Sequence, residues 1–141
     1  MSTAHVRSTL QPTPAIKLWT PTVIGLMTFF LGFPSGIVLA SLNWIRMDLK
    51  GKAVIHIMGG FVGLLTIRLF PEAYGQLLGL VINLGYMTYL HQQMKIDIDR
   101  VANPNIQDAH WFSALLVSIA VSGIIVIAVL EVAIARFVMR I

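Results

Sequence analysis

The chain reads as an all-α integral membrane protein: a four-helix antiparallel transmembrane bundle whose third helix extends beyond the membrane. Three observations carry that expectation. Hydrophobic residues make up 57 % of the 141 and charged residues only 11 %, with a mean hydropathy of +0.81. A soluble domain of this size has too little interior for so much apolar side chain, so the surplus must face lipid. The apolar residues also fall into runs long enough for crossings of about 20 residues. Tryptophan, proline and basic residues punctuate those runs, as interfacial anchors and helix starts do.

Residues 1–20 form a polar amino-terminal tail with Arg7, Pro12, Pro14 and Lys17, and residues 21–141 form a single four-span domain. Trp19-Thr20-Pro21 starts the first helix, with an interfacial ring, a hydroxyl cap and proline at the first helical position. The first span covers 22–43 and is closed by Trp44. Trp19 and Trp44 are 25 residues apart, which is about 37 Å of straight helix, enough to bracket a hydrocarbon core of about 30 Å. Pro34 kinks this span, and Gly25, Gly32, Gly36 and Ala40 give it a small-residue stripe. A rival reading treats Val38-Leu39-Ala40 before Ser41 as a signal-peptidase site. The apolar run is longer than the usual signal core and continues into Asn43-Trp44-Ile45-Arg46, so a retained span is preferred.

Arg46, Lys50, Gly51 and Lys52 mark a short basic loop. The next apolar run reaches from Ala53 to Leu90, too long for one crossing, and Arg68, Pro71, Glu72 and Gln76 break it into a hairpin. Its spans are 53–70 and 72–90. Gly59 and Gly63 in the second, and Gly75, Gly79 and Asn83 in the third, recur at steps of four on faces suited to close helix packing. Asn83 bonds across to a neighbouring helix. Met87, Leu90, Met94, Ile98 and Val101 keep helical periodicity, so the third helix continues to about Ala102, where Asn103-Pro104 stops it. Asp108 caps the last helix, Trp111 marks its interface, and the fourth span covers 112–135.

An even number of spans puts both termini on one side. Five Lys or Arg then lie on each side, and the acids tip the balance toward cytoplasmic termini. The expected location is the bacterial plasma membrane, multi-pass. The pI near 9.9 rests on ten scattered Lys and Arg, never clustered as a nucleic-acid face requires, so no nucleic-acid partner is expected. There is no cysteine, which excludes disulfides, thiolate metal sites and a cysteine nucleophile.

Two constellations carry possible chemistry. Folding the spans in alternation brings His56, His91 and His110 to one side, where imidazoles from three helices are candidate ligands for a haem, a pigment or a metal. The plainer alternative leaves His91 and His110 hydrated and bonds His56 to a backbone carbonyl. On the other side, Arg68 and Glu131 reach similar depth and form a structural ion pair, or Glu131 serves proton or cation movement. No phosphate-binding loop is present, and no serine has a base on its own helix face. The function expected is therefore that of a non-enzymatic accessory or assembly subunit. Lipid and other membrane subunits, or a second copy, are its partners. The alternatives are a cofactor-binding membrane subunit using the histidines and a small oligomeric transporter or channel.

Overall fold

The computed structural model describes residues 15–68, 72–101 and 105–139. They form five helices, α1 (Pro21–Leu31), α2 (Phe33–Arg46), α3 (Lys50–Arg68), α4 (Glu72–Arg100) and α5 (Trp111–Val138). Two short strands, β1 (Ile16–Leu18) and β2 (Ile106–Asp108), pair in parallel. The chain is mostly helical, as expected. Among the described residues, one helix segment, Trp111–Val132, is long and apolar enough to cross a membrane.

The first span is not one helix. At Gly32 the backbone takes φ 86° and ψ 162°, a region open essentially to glycine alone. Pro34 then occupies the first turn of α2, where its missing N–H costs nothing. The chain reverses instead of kinking. Gly36 of α2 comes so close to Thr28 of α1 that a side chain at position 36 would collide with it. Farther from the tip, Asn43 holds the entry to α1 from both sides. The Trp19 N–H donates to Asn43 Oδ1 at 3.1 Å, and Asn43 Nδ2 donates to the Trp19 carbonyl at 2.7 Å. Trp19 and Trp44 therefore lie at the same end of the molecule rather than on opposite sides of a membrane.

This α1–α2 hairpin is the centre of the fold, and α2 buries Ile37, Leu39, Ala40, Asn43 and Trp44 among others. The long helices pack around it. Gly60 of α3 sits against Ile37, Gly25 of α1 against Met87 of α4, and Trp19 Nε1 donates to Ser113 Oγ of α5 at 3.0 Å. Pairings 41 with 53, 37 with 60 and 33 with 63 make α3 antiparallel to α2. By the same test α4 returns toward the α2–α3 turn, and α5 runs away from it. The near end of the molecule thus holds β1, the α2–α3 turn and β2, and the far end holds the end of α3, the start of α4 and the end of α5. The expectation of both termini on one side is corrected: the described amino-terminal segment and the end of α5 lie at opposite ends.

Local signals explain the boundaries. Thr20 caps α1, its hydroxyl accepting from the Val23 N–H at 3.3 Å, as the sequence predicts. α4 ends at Arg100, close to the predicted limit, while Asn103-Pro104 lies outside the described residues. Residues 15–20 are not a loose tail, because β1 pairs with β2 and both Leu18 and Trp19 are buried. Asp108 is in β2 and does not cap α5. His110 does so instead, its Nδ1 accepting from the Phe112 N–H at 3.3 Å and its carbonyl from the Ser113 N–H at 3.1 Å.

Candidate functional site

Two antiparallel helices with polar residues four apart meet side chain to side chain. Lys52 and His56 share one face of α3, and Tyr89, Gln93 and Asp97 share one face of α4. Lys52 Nζ lies 2.6 Å from Asp97 Oδ2 and 3.1 Å from Gln93 Oε1. Trp44 Nε1 of α2 donates to the same Asp97 oxygen at 2.8 Å. One turn farther in, His56 Nδ1 donates to the Lys52 carbonyl at 2.8 Å. That bond places a proton on Nδ1, and Nε2 pairs with the Tyr89 hydroxyl at 3.1 Å. The imidazole lies between two rings, 4.1 Å from the Trp44 centroid and 5.7 Å from that of Tyr89. The Asp97 carboxylate is buried and is paired with the Lys52 ammonium.

Below this cluster a cleft of about 340 Å³ opens between α3 and α4. Phe33, His56, Tyr86 and Tyr89 supply rings to its walls, and on the α3 side Gly59, Gly60 and Gly63 alternate with the side chains of Ile55 and His56. The Tyr86 hydroxyl oxygen is buried and has no hydrogen-bond partner among the described residues.

A second set of polar groups surrounds the tip of the hairpin. The last carbonyls of a helix have no partner within it. Here Leu31 O accepts from Ser122 Oγ of α5 at 3.2 Å and Ser35 Oγ of α2 at 3.3 Å, and Phe29 O accepts from Asn83 Nδ2 of α4 at 3.4 Å. Asn83 makes the interhelical bond the sequence predicts, though to the end of a broken helix. Its Oδ1 and the Ser118 hydroxyl are buried and have no hydrogen-bond partner among the described residues.

The three predicted histidine ligands do not converge. His56 is held by Lys52 and Tyr89, His91 is exposed beside Thr22 and Gly25 of α1, and His110 caps its own helix. Sequence depth placed them at one end correctly, but helical phase turns each to a different neighbour. Among the described residues no group of three or more His, Asp or Glu is placed to hold a metal.

The Arg68 side chain lies outside the described residues, as do the surroundings of Gly75. Glu131 is exposed, and among the described residues α3 and α5 make no contact, because α2 stands between them. The predicted Arg68–Glu131 pair thus lies outside the described residues on its Arg68 side. Of the predicted packing residues, Gly36 meets Thr28 and Leu90, Gly63 approaches Phe33 at 4.0 Å, and Gly32 is the helix break. Gly59 and Gly79 face open space; Gly60 makes the close approach to α2 instead. The Lys52–Asp97 bridge was missed, although the steps of four on both helices were there to be read.

No family model matches the chain, and neither a curated protein nor a solved structure matches it.

Proposed function

We propose that the protein is a multi-pass membrane protein acting as a non-enzymatic accessory or assembly subunit of a larger membrane complex. In this reading α3, α4 and α5 cross the bilayer and α1–α2 is a re-entrant hairpin between them. Their 19, 29 and 28 residues correspond to about 28, 43 and 42 Å of helix, against a hydrocarbon core of about 30 Å. Large apolar side chains such as Ile55, Phe61, Leu77, Val81, Ile127 and Leu130 are exposed along them, a surface that water does not tolerate and lipid does. Irregular backbone at membrane depth needs its polar groups satisfied by protein, and at the half-buried Gly32 reversal the Leu31 and Phe29 carbonyls accept from Ser122, Ser35 and Asn83.

The observation that carries the subunit reading is what the chain leaves uncovered. α4 and α5 do not touch each other among the described residues, and Gly79, Gly85 and Gly123 have no atom within 4 Å of where a side chain would begin. Small residues on open helix faces permit the close approach by which membrane helices associate. Orientation also follows from the three-crossing arrangement. Lys17, Arg46, Lys50, Lys52, Lys95 and Arg100 belong to the near end, whereas Arg68 and Arg136 belong to the far end. The near end is then cytoplasmic by the positive-inside rule.

The test is a photo-crosslinking residue at position 79 or 123, combined with extraction in mild detergent and native mass spectrometry. The expected result is one membrane protein captured from both positions and co-purifying in fixed ratio. A stable monomer, crosslinked to lipid alone, overturns the reading.

A further inference from the structure

We propose that the groove between α1 and α4 holds one anionic phospholipid of the phosphatidylglycerol type, its phosphate against His91 and Lys95 and one acyl chain laid along Gly25, Leu26 and Met87. The proposal deepens the membrane reading above and rests on it, because the ligand comes from the bilayer.

The groove is separate from the cleft beside His56. Its volume is about 360 Å³, and it is lined by Thr22, Gly25 and Leu26 of α1 and by Met87, Thr88, His91 and Gln92 of α4. Polar and apolar residues are sorted along its length. Gly25, Leu26 and Met87 make an apolar floor, while Thr22, His91 and Gln92 stand at the near end. A side chain at Gly25 would begin 3.7 Å from Met87 Cγ, so α1 and α4 almost touch beneath the floor. A hydrocarbon chain can lie over that contact. A helix, about 10–12 Å across, cannot enter it.

Depth places the head group. A hydrocarbon core of about 30 Å takes about 20 helical residues. Counted from Glu72, the start of α4, those residues end beside His91 and Gln92. Thr88, His91, Gln92 and Lys95 recur at steps of three and four, so they share one face of the helix. Lys95 is thus one turn beyond the boundary, among the lipid head groups.

Charge selects the lipid. His91, Gln92 and Lys95 are exposed, and among the described residues they form no hydrogen bond or ion pair within the chain. Asp99, one turn beyond Lys95, is the next acid along that face, and no ion pair joins the two. Lys50 and Lys52, by contrast, are already paired with Asp48 and Asp97. A phosphate diester gives the free ammonium its counter-charge, and an imidazole has an N–H to donate to it in either protonation state. A zwitterionic head gains less, because its own cationic group offsets the charge that Lys95 meets. The near end is also the cytoplasmic one in the reading above, where anionic lipid attracts basic residues.

The experiment titrates the full chain in detergent micelles with phosphatidylglycerol, or with phosphatidylcholine of the same acyl chains, and counts bound lipid by native mass spectrometry. One phosphatidylglycerol per chain should be retained, with a preference of about fivefold over phosphatidylcholine, the worth of one lysine among head groups. Lys95→Gln should erase that preference and Lys95→Arg should keep it. Thr88→Trp, which fills the groove below the head group, should abolish retention of either lipid. Lys50→Gln, at an exposed lysine of the same end, should change nothing. Thermal melts report whether each variant folds, and the Lys95 variants decide the matter even if Thr88→Trp does not. Equal retention of the two lipids by the native chain overturns the proposal, as does a preference that survives Lys95→Gln. A photo-crosslinking residue at Thr22 that captures a protein from native membranes would give the groove to another subunit and equally overturn it. Failure here leaves the subunit reading intact, since that reading is judged by capture from positions 79 and 123.

Discussion

Asp97→Ala should lower the thermal stability of the detergent-solubilised protein by about 3 kcal/mol, toward the lower end of the roughly 3–5 kcal/mol lost when one partner of a buried ion pair is removed. The lower end applies because the Lys52 side chain remains 28 % exposed while that of Asp97 is 5 % exposed. Truncation strands two donors at once, the Lys52 ammonium and the Trp44 indole N–H, both of which Asp97 Oδ2 accepts. Asp97→Asn keeps an acceptor for Trp44 and loses the charge, so its loss should be intermediate. Pairing Asp97→Leu with Lys52→Met removes both charges and should recover much of the deficit, leaving the Trp44 indole and the part-buried Gln93 Oε1 without their partners. A melt of Asp97→Ala within about 0.5 kcal/mol of the native protein would place these side chains on an ordinary surface.

Gly32→Ala distinguishes a hairpin from a kinked helix by the sign of its effect. In an ordinary helix interior, replacing glycine by alanine stabilises by about 1 kcal/mol. At φ 86° and ψ 162° a Cβ is strained, and holding a non-glycine residue there costs about 1–3 kcal/mol. The hairpin therefore predicts a lower melting temperature and the straight span a higher one. The same substitution should loosen Trp19 from Asn43, since their bonds exist only while α2 folds back on α1. Chemical denaturation followed by tryptophan emission reads both effects.

Much of the helical framework was legible in the sequence. Long apolar runs with breakers at Pro71 and an aromatic at Trp111 delimit α3, α4 and α5, and Thr20-Pro21 states the start of α1 through its own side chain. The reversal at Gly32 was not legible. Gly32-Phe33-Pro34 lies inside an apolar run whose length suits a single crossing, and a proline kink accounts for that run equally well. What decides between them is Asn43 bonding to a backbone 24 positions earlier, a tertiary fact. The site divides in the same way. The bond from His56 to a backbone carbonyl follows from helical spacing, and it is the plainer alternative the sequence offered. The role of Asp97 was not legible, because its partners Lys52 and Trp44 stand on other helices. Glu131 was placed by depth alone, and among the described residues its side chain is exposed.

The central claim is the odd number of crossings created by the re-entrant hairpin, and single cysteines test it directly. The protein has no cysteine of its own, so each introduced thiol is the only one. Lys17→Cys in β1, Lys50→Cys at the start of α3 and Met139→Cys beyond α5 are labelled with a membrane-impermeant maleimide. Sealed vesicles of each orientation are used. A single straight first span puts positions 17 and 50 on opposite faces of the membrane. The hairpin predicts that 17 and 50 react from the same face, the cytoplasmic one, and that 139 reacts only from the other. Labelling of 17 and 50 from opposite faces would contradict it.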